Sequence, residues 1–194
     1  LPIATRETDT SGSRYQEVKY VLPEMVNIAA SFPDYQFVVT AVGHIPGKIY
    51  SGITGSMPVR IVTGKTYEIL SVAEAALVTS GTATLEAALF DVPQIVCYKT
   101  SALTYKLAMM FLKVRFISLV NLIADKEAVK ELVQKELNTK NLVSELSAII
   151  RSGYKRENVK EDYSALRFLM GGRGASLRIA TDIIESLGKT RKEI

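Results

Sequence analysis

The 194-residue chain is 47% apolar and 23% charged, which suits one good-sized folded domain with room for an appended piece and excludes a disordered polymer. Its net charge of +4 is met by solvated lysines; no Lys/Arg stripe interleaves with aromatics, so nucleic-acid binding is not indicated, while a phosphorylated ligand or an anionic lipid surface is compatible. A single cysteine, Cys97, and a single histidine, His44, exclude an intrachain disulfide and a Cys-cluster metal site, and no nucleophile elbow accompanies His44.

In chain order, residues 1–12 are polar and carry no strong strand signal. From Tyr15 to Ser31 the apolar residues Val18, Val21, Leu22, Met25, Ile28 and Ala29 fall on one helical face, with Pro23 starting or kinking the helix. Gln36–Val42 is a buried strand. His44 to Pro58, rich in Gly, Pro and Ser, is mostly loop, and Val59–Val62 is a short strand. Helix over Tyr67–Glu74, strand over Ala75–Thr79, helix over Thr82–Phe90 and strand over Pro93–Tyr98 follow. This βαβαβ order with near-continuous apolar strands predicts an α/β fold, a parallel sheet with helices on both faces. Cys97 lies inside the last of these strands as a small buried hydrophobe.

Ala102–Lys113 is helical and apolar around most of its circumference, with Lys99, Lys106, Lys113 and Arg115 nearby. A core contact or an interfacial segment facing acyl chains and anionic headgroups both suit it. Arg115–Val120 is extended. Lys126–Leu137, Lys140–Arg151, Glu157–Leu169 and Ala175–Leu187 are helical, Gly171-Gly172 separates the last two, and Gly188–Ile194 is a basic tail. No apolar run approaches the ~18 residues of a membrane span. The chain begins with Leu, and a fragment of a longer protein is expected.

Within this pattern Thr79-Ser80-Gly81-Thr82-Ala83-Thr84-Leu85-Glu86 joins a strand to a helix through small hydroxylated residues. Backbone N–H groups at a helix start, aided by the aligned peptide dipoles, make a seat for phosphate. Such turns lie at the carboxyl ends of parallel strands, where ligands of these sheets bind. Ser80 and Thr82 could equally cap the helix. Glu86, four residues after Thr82 and six after Ser80, fits neither half of a capping box, so a dipole contact and a sugar-hydroxyl contact both stay open for it. Upstream, Ser13-Arg14-Tyr15-Gln16 has capping-box spacing, and Arg14 can also pair with a diphosphate.

Gly12-Ser13-Arg14 with Glu17, the Ser80–Glu86 turn, Pro93–Tyr98, Ser118 to Ala124 and Val129 to Gln134 occur in this order and spacing. Together they resemble the carboxyl-terminal half of lipid-A-disaccharide synthase, a bacterial glycosyltransferase of the GT-B class, from about Gly12 to near Leu187. The resemblance implies a Rossmann-like domain that holds UDP. It also implies transfer of 2,3-diacylglucosamine from its UDP form to 2,3-diacylglucosamine 1-phosphate, giving lipid A disaccharide 1-phosphate and UDP. It places Ser13, Arg14, Ser80, Gly81, Thr82, Glu86 and Asn121 at the donor, with Glu17, Tyr98, Lys99, Glu131 and Gln134 as further candidates. The catalytic base is expected in an amino-terminal half outside this chain. No cofactor and no metal ligand set are expected. Asn121, an amide in an apolar run, is either a turn residue or a donor contact, and Glu131 and Gln134 share one face of a helix.

The family enters Gly-Ser-Arg through an apolar strand, whereas Pro2 to Ser11 is polar here, so an altered strand or a junction is expected there. The domain reading is 1–12 an N-terminal junction, 13–152 the UDP-binding domain, and 153–194 carboxyl-terminal helices and tail. Expected partners are the two glucosamine substrates, the amino-terminal domain, an anionic membrane surface in a cytoplasmic setting peripheral to the inner membrane, and a homodimer with exchanged carboxyl-terminal segments. The alternatives are another UDP-sugar transferase or epimerase, or a non-catalytic module with a nucleotide-type fold.

Overall fold

A computed structural model describes residues 2–6, 18–43, 45–101, 115–151, 153–171, 174, 180–181 and 183–184; for residues 2–6 it describes the backbone. The elements are β1 (Pro2–Arg6), α1 (Leu22–Asn27), β2 (Gln36–Ala41), α2 (Gly47–Thr54), β3 (Val59–Thr63), α3 (Thr66–Leu70), β4 (Ala75–Thr79), α4 (Thr82–Leu89), β5 (Gln94–Tyr98), α5 (Leu119–Ala124), β6 (Lys130–Val133), α6 (Thr139–Ile149) and α7 (Arg156–Met170).

The six strands lie in the order β3-β2-β1-β4-β5-β6, all parallel. Helices cover both faces, as β4 shows directly. Ala75 and Leu77 enter the large cluster with Met25, Ile28, Leu142 and Leu146, while Ala76 and Val78 enter the opposite cluster with Leu70, Ala83 and Ala87. A strand buried on both faces reads as a continuous apolar run, and all five residues of β4 are buried. The expected α/β class with a Rossmann-like parallel sheet is what the chain adopts.

Three expectations are corrected. Pro2–Arg6, expected to be strand-poor, is β1, a central strand paired with β2 on one side and β4 on the other. Pro2-Ile3-Ala4-Thr5-Arg6 is a short run without strand periodicity that leads into a polar stretch, and its two neighbours supply the ladder that local sequence does not reveal. Residues 130–133, expected inside a helix, form edge strand β6, followed by a 3-10 turn at Gln134–Glu136. The helical spacing of Val129, Leu132 and Val133 was ambiguous over so short a run. Finally, Leu119 and Val120 open helix α5, capped by Ser118, instead of ending an extended segment. The loop between Gly43 and Val59 contains an eight-residue helix, α2, and Pro23 lies in the first turn of α1, where its missing N–H costs nothing.

Residues on either side of the expected 152/153 boundary are hydrogen-bonded to one another. The Tyr163 hydroxyl on α7 donates to the Val92 carbonyl at 3.1 Å and accepts from Gln94 Nε2 at 3.0 Å, and Arg156 reaches the Glu74 carbonyl at 3.0 Å. Among the described residues no helix is long and apolar enough to cross a membrane.

Candidate functional site at the β1/β4 switch point

The strand order reverses between β1 and β4, since β1 leads outward to β2 and β3 while β4 leads to β5 and β6. In open parallel sheets, ligands bind at such a switch point, beyond the carboxyl ends of the strands. Arg6 pairs with Val78, so the chain leaves β1 two residues short of the level of Ser80. Ser13, Arg14 and Glu17 belong to the segment that leaves β1 at this rim and lie outside the described residues, as does His44.

The turn after β4 is built around Gly81, at φ 129° and ψ −160°. That region is essentially restricted to glycine, and it lets the strand turn abruptly into α4. Gly81 is the N-cap of α4, and among the described residues no side-chain cap bond is made there. The Ser80 hydroxyl donates instead to the Ile117 carbonyl at 2.6 Å, and Thr84 Oγ1 donates to the Gly81 carbonyl at 2.7 Å. The capping alternative for Ser80 and Thr82 is therefore not the one adopted. The start of α4 keeps its outward N–H groups and positive dipole end, beside Thr82, which is exposed. Glu86 lies one turn along α4, half-buried.

Neighbouring strand ends add the remaining candidates. Tyr98 closes β5, half-buried and level with Val133. Lys99 is held by Glu24 of α1 at 2.6 Å, so its charge is already matched. Gln134, at φ 53°, stands just past β6; with its amide turned to satisfy both groups it bonds the N–H and C=O of Thr100, each at 3.2 Å. Gln134 thus extends the β5–β6 pairing by one rung.

Asn121 and Glu131 lie in one hydrogen-bond network, and Glu131, expected on a helix face, is on strand β6. Asn121 is fully buried; its Nδ2 donates to the Val129 carbonyl at 2.8 Å and to Glu131 Oε1 at 2.9 Å, and its Oδ1 accepts from the Val129 N–H at 2.9 Å. Both amide protons are bonded within the protein, so the side chain serves as a rung between α5 and the lead into β6. Glu131 is on a strand and accepts from the Ile117 N–H, the Ser118 N–H and hydroxyl, and Asn121. Ile117 and Ser118, which link these residues to the turn, were missed by sequence reasoning. Ser118 alone left a signal, its three-residue spacing to Asn121, whose N–H its hydroxyl accepts at 3.3 Å.

Two cavities of about 400 Å³ lie elsewhere, one between α6 and α7 around Tyr154 and Asn158, the other beside β6 around Arg115 and Glu136. Neither includes Ser80, Gly81 or Thr82. Among the described residues no group of three or more His, Cys, Asp or Glu is placed to hold a metal ion.

A family model described as lipid-A-disaccharide synthetase matches residues 5–181. The lipid-A-disaccharide synthase of Anaeromyxobacter dehalogenans strain 2CP-C is 35% identical over 180 residues, covering 89% of this chain and 47% of that protein. That of Myxococcus xanthus strain DK1622 is 36% identical over 183 residues, covering 91% of this chain and 48% of that protein. The chain spans about half the length of the curated relatives it matches. Among solved structures, the calicheamicin glycosyltransferase CalG4 aligns with a TM-score of 0.61 at 15% identity, covering 97% of this chain and 44% of that one. A Staphylococcus aureus MnaA–UDP co-structure aligns with a TM-score of 0.61 at 15% identity, covering 96% of this chain and 46% of that one. At such identity the likeness shows the fold.

Proposed function

The chain belongs to the lipid-A-disaccharide synthetase family, and from that premise we propose that it is the donor-binding part of a glycosyltransferase. The donor is UDP-2,3-diacylglucosamine, the acceptor 2,3-diacylglucosamine 1-phosphate, and the products are lipid A disaccharide 1-phosphate and UDP. The observation that carries the reading is the start of α4, with glycine as its N-cap, presented by Gly81 at the switch point of the sheet.

The chemistry is an inverting displacement. The acceptor 6-hydroxyl attacks the anomeric carbon of the donor, the bond from that carbon to the diphosphate oxygen breaks, and UDP leaves with the electron pair. Negative charge grows on the diphosphate as this happens. N–H groups and the dipole at the start of α4 are oriented before the reaction and stabilise that charge without reorganising. Arg14 adds a planar fork suited to two phosphate oxygens, and Glu86 accepts from ribose hydroxyls. The base that takes the acceptor proton is assigned to the other half of the protein. Peripheral contact with the inner membrane is assigned to Ala102–Lys113, and a homodimer exchanging carboxyl-terminal segments remains part of the proposal.

Calorimetric titration of the chain with UDP tests the reading. Saturable binding is expected, with Glu86→Ala reducing affinity about tenfold, the equivalent of about 1.4 kcal/mol, while circular dichroism is unchanged. No UDP binding by the parent chain would overturn the proposal. Disaccharide formation by the isolated chain would refute the assignment of the base.

A further inference from the structure

Glu131 stands on the edge strand, one strand beyond β5, yet its carboxylate gathers four hydrogen bonds. Oε2 accepts from the Ile117 N–H at 2.9 Å. Oε1 accepts from the Ser118 N–H at 3.0 Å, the Ser118 hydroxyl at 2.7 Å and Asn121 Nδ2 at 2.9 Å. Hydrogen bonds to an ionised acceptor are about twice as strong as neutral ones. From Ile117 the chain of contacts continues in one direction, because its carbonyl accepts the Ser80 hydroxyl at 2.6 Å. Residue 117 is thus held by its N–H to β6 and by its carbonyl to the turn after β4.

We infer that Glu131 is a positioning residue for the Ser80–Thr82 turn. It does not touch the nucleotide. Through Ile117 it fixes Ser80, and with Ser80 the position at which Gly81 and the start of α4 present their N–H groups. Consequences for UDP affinity rest on the nucleotide reading above, whereas the mechanical link from Glu131 to the turn does not.

Glu131→Gln keeps the shape and removes the function of one oxygen. If the amide oxygen stays with Ser118 and Asn121, the NH2 group meets the Ile117 N–H and two donors face each other. Residue 117 then loses its anchor and Ser80 its fixed partner. Tyr163→Phe provides the comparison, since it removes two buried hydrogen bonds to Val92 and Gln94 and leaves the 117–118 loop intact.

Hydrogen–deuterium exchange with mass-spectrometric readout, on the whole chain, decides the link. Glu131→Gln is expected to speed exchange in the peptide covering Gly81–Thr84 about tenfold, whereas Tyr163→Phe lowers the melting temperature but changes that peptide less than about twofold. Ser118→Ala, which removes one of the four donors, gives the same pattern at smaller amplitude and serves if Glu131→Gln does not fold. Unchanged exchange in the turn, or an equal rise in Tyr163→Phe, would overturn the inference. Calorimetry with UDP on the same proteins is expected to show affinity about tenfold weaker in Glu131→Gln. In a Ser80→Ala background the further loss should be under about twofold, because both substitutions break one connection. Fully additive losses would also overturn the link. A parent chain that binds no UDP would refute the nucleotide reading and leave the exchange result to judge Glu131 by itself.

Discussion

At Gly81 the backbone holds φ 129° and ψ −160°, a conformation that any Cβ opposes. Gly81→Ala should cost about 1–3 kcal/mol of stability if the turn is retained. The turn can instead relax, and then UDP affinity falls with little change in melting temperature. Calorimetry and thermal denaturation together distinguish the two outcomes, and an alanine variant with both properties unchanged would contradict the strained turn. Burial of Cys97 pushes its thiol well above the ordinary range. The native thiol should therefore resist a disulfide reagent near pH 8 and react fully in denaturant, and rapid modification of the folded chain would contradict its place inside β5. Gly81 and Cys97 were legible in sequence because the turn and the apolar run are local. Asn121 was not: an amide inside an apolar stretch announces a need for partners, but nothing nearby says that the partners are Val129 and Glu131.

Connections between elements depend on particular close approaches. Gly153, between α6 and α7, lies against the end of α6 so tightly that a Cβ would come within 2.2 Å of the Ala148 carbonyl oxygen. Gly153→Ala must push backbone aside, and a loss of about 1–3 kcal/mol is expected in urea titration. Nearby, Lys155 pairs with Glu145 at 2.7 Å and joins the same two helices. The hydrogen bond to Glu145 raises the Lys155 pKa against the smaller opposing effect of burial. A raised folded-state pKa means that the contribution is fully present below the unfolded lysine value and is lost as pH rises through the folded value. Screening at this partly exposed site keeps it under about 1 kcal/mol. Glu145→Gln should flatten that alkaline decline, and an identical decline in the variant would exclude the pair as its cause. Among the elements themselves, β4 and β5 were legible as uninterrupted apolar runs. β1 and β6 were not, because their strand character comes from the neighbouring ladders.

For the whole molecule, α7 is part of the structure that carries the crevice. Tyr163 is fully buried, joined to Val92 and Gln94, and Arg167 reaches Asp91 and the Ala88 carbonyl at the far end of α4. Calorimetric unfolding should accordingly show one transition, and Tyr163→Phe should lower its midpoint without splitting it. Two resolved transitions would mean that residues 153–170 fold as a separate unit. The sequence by itself determined the parallel α/β class, the strand-to-helix turn at Ser80–Glu86, and the family, since each rests on local pattern or on motifs in fixed order. Tertiary structure alone decided that β1 lies at the centre of the sheet and that the turn stands at the switch point. It also decided that Asn121 and Glu131 bond to each other and to residues 117, 118 and 129. Those outcomes depend on contacts between residues far apart in the chain, and hydrogen-bond partners brought together by folding leave no periodicity in sequence from which they could be read.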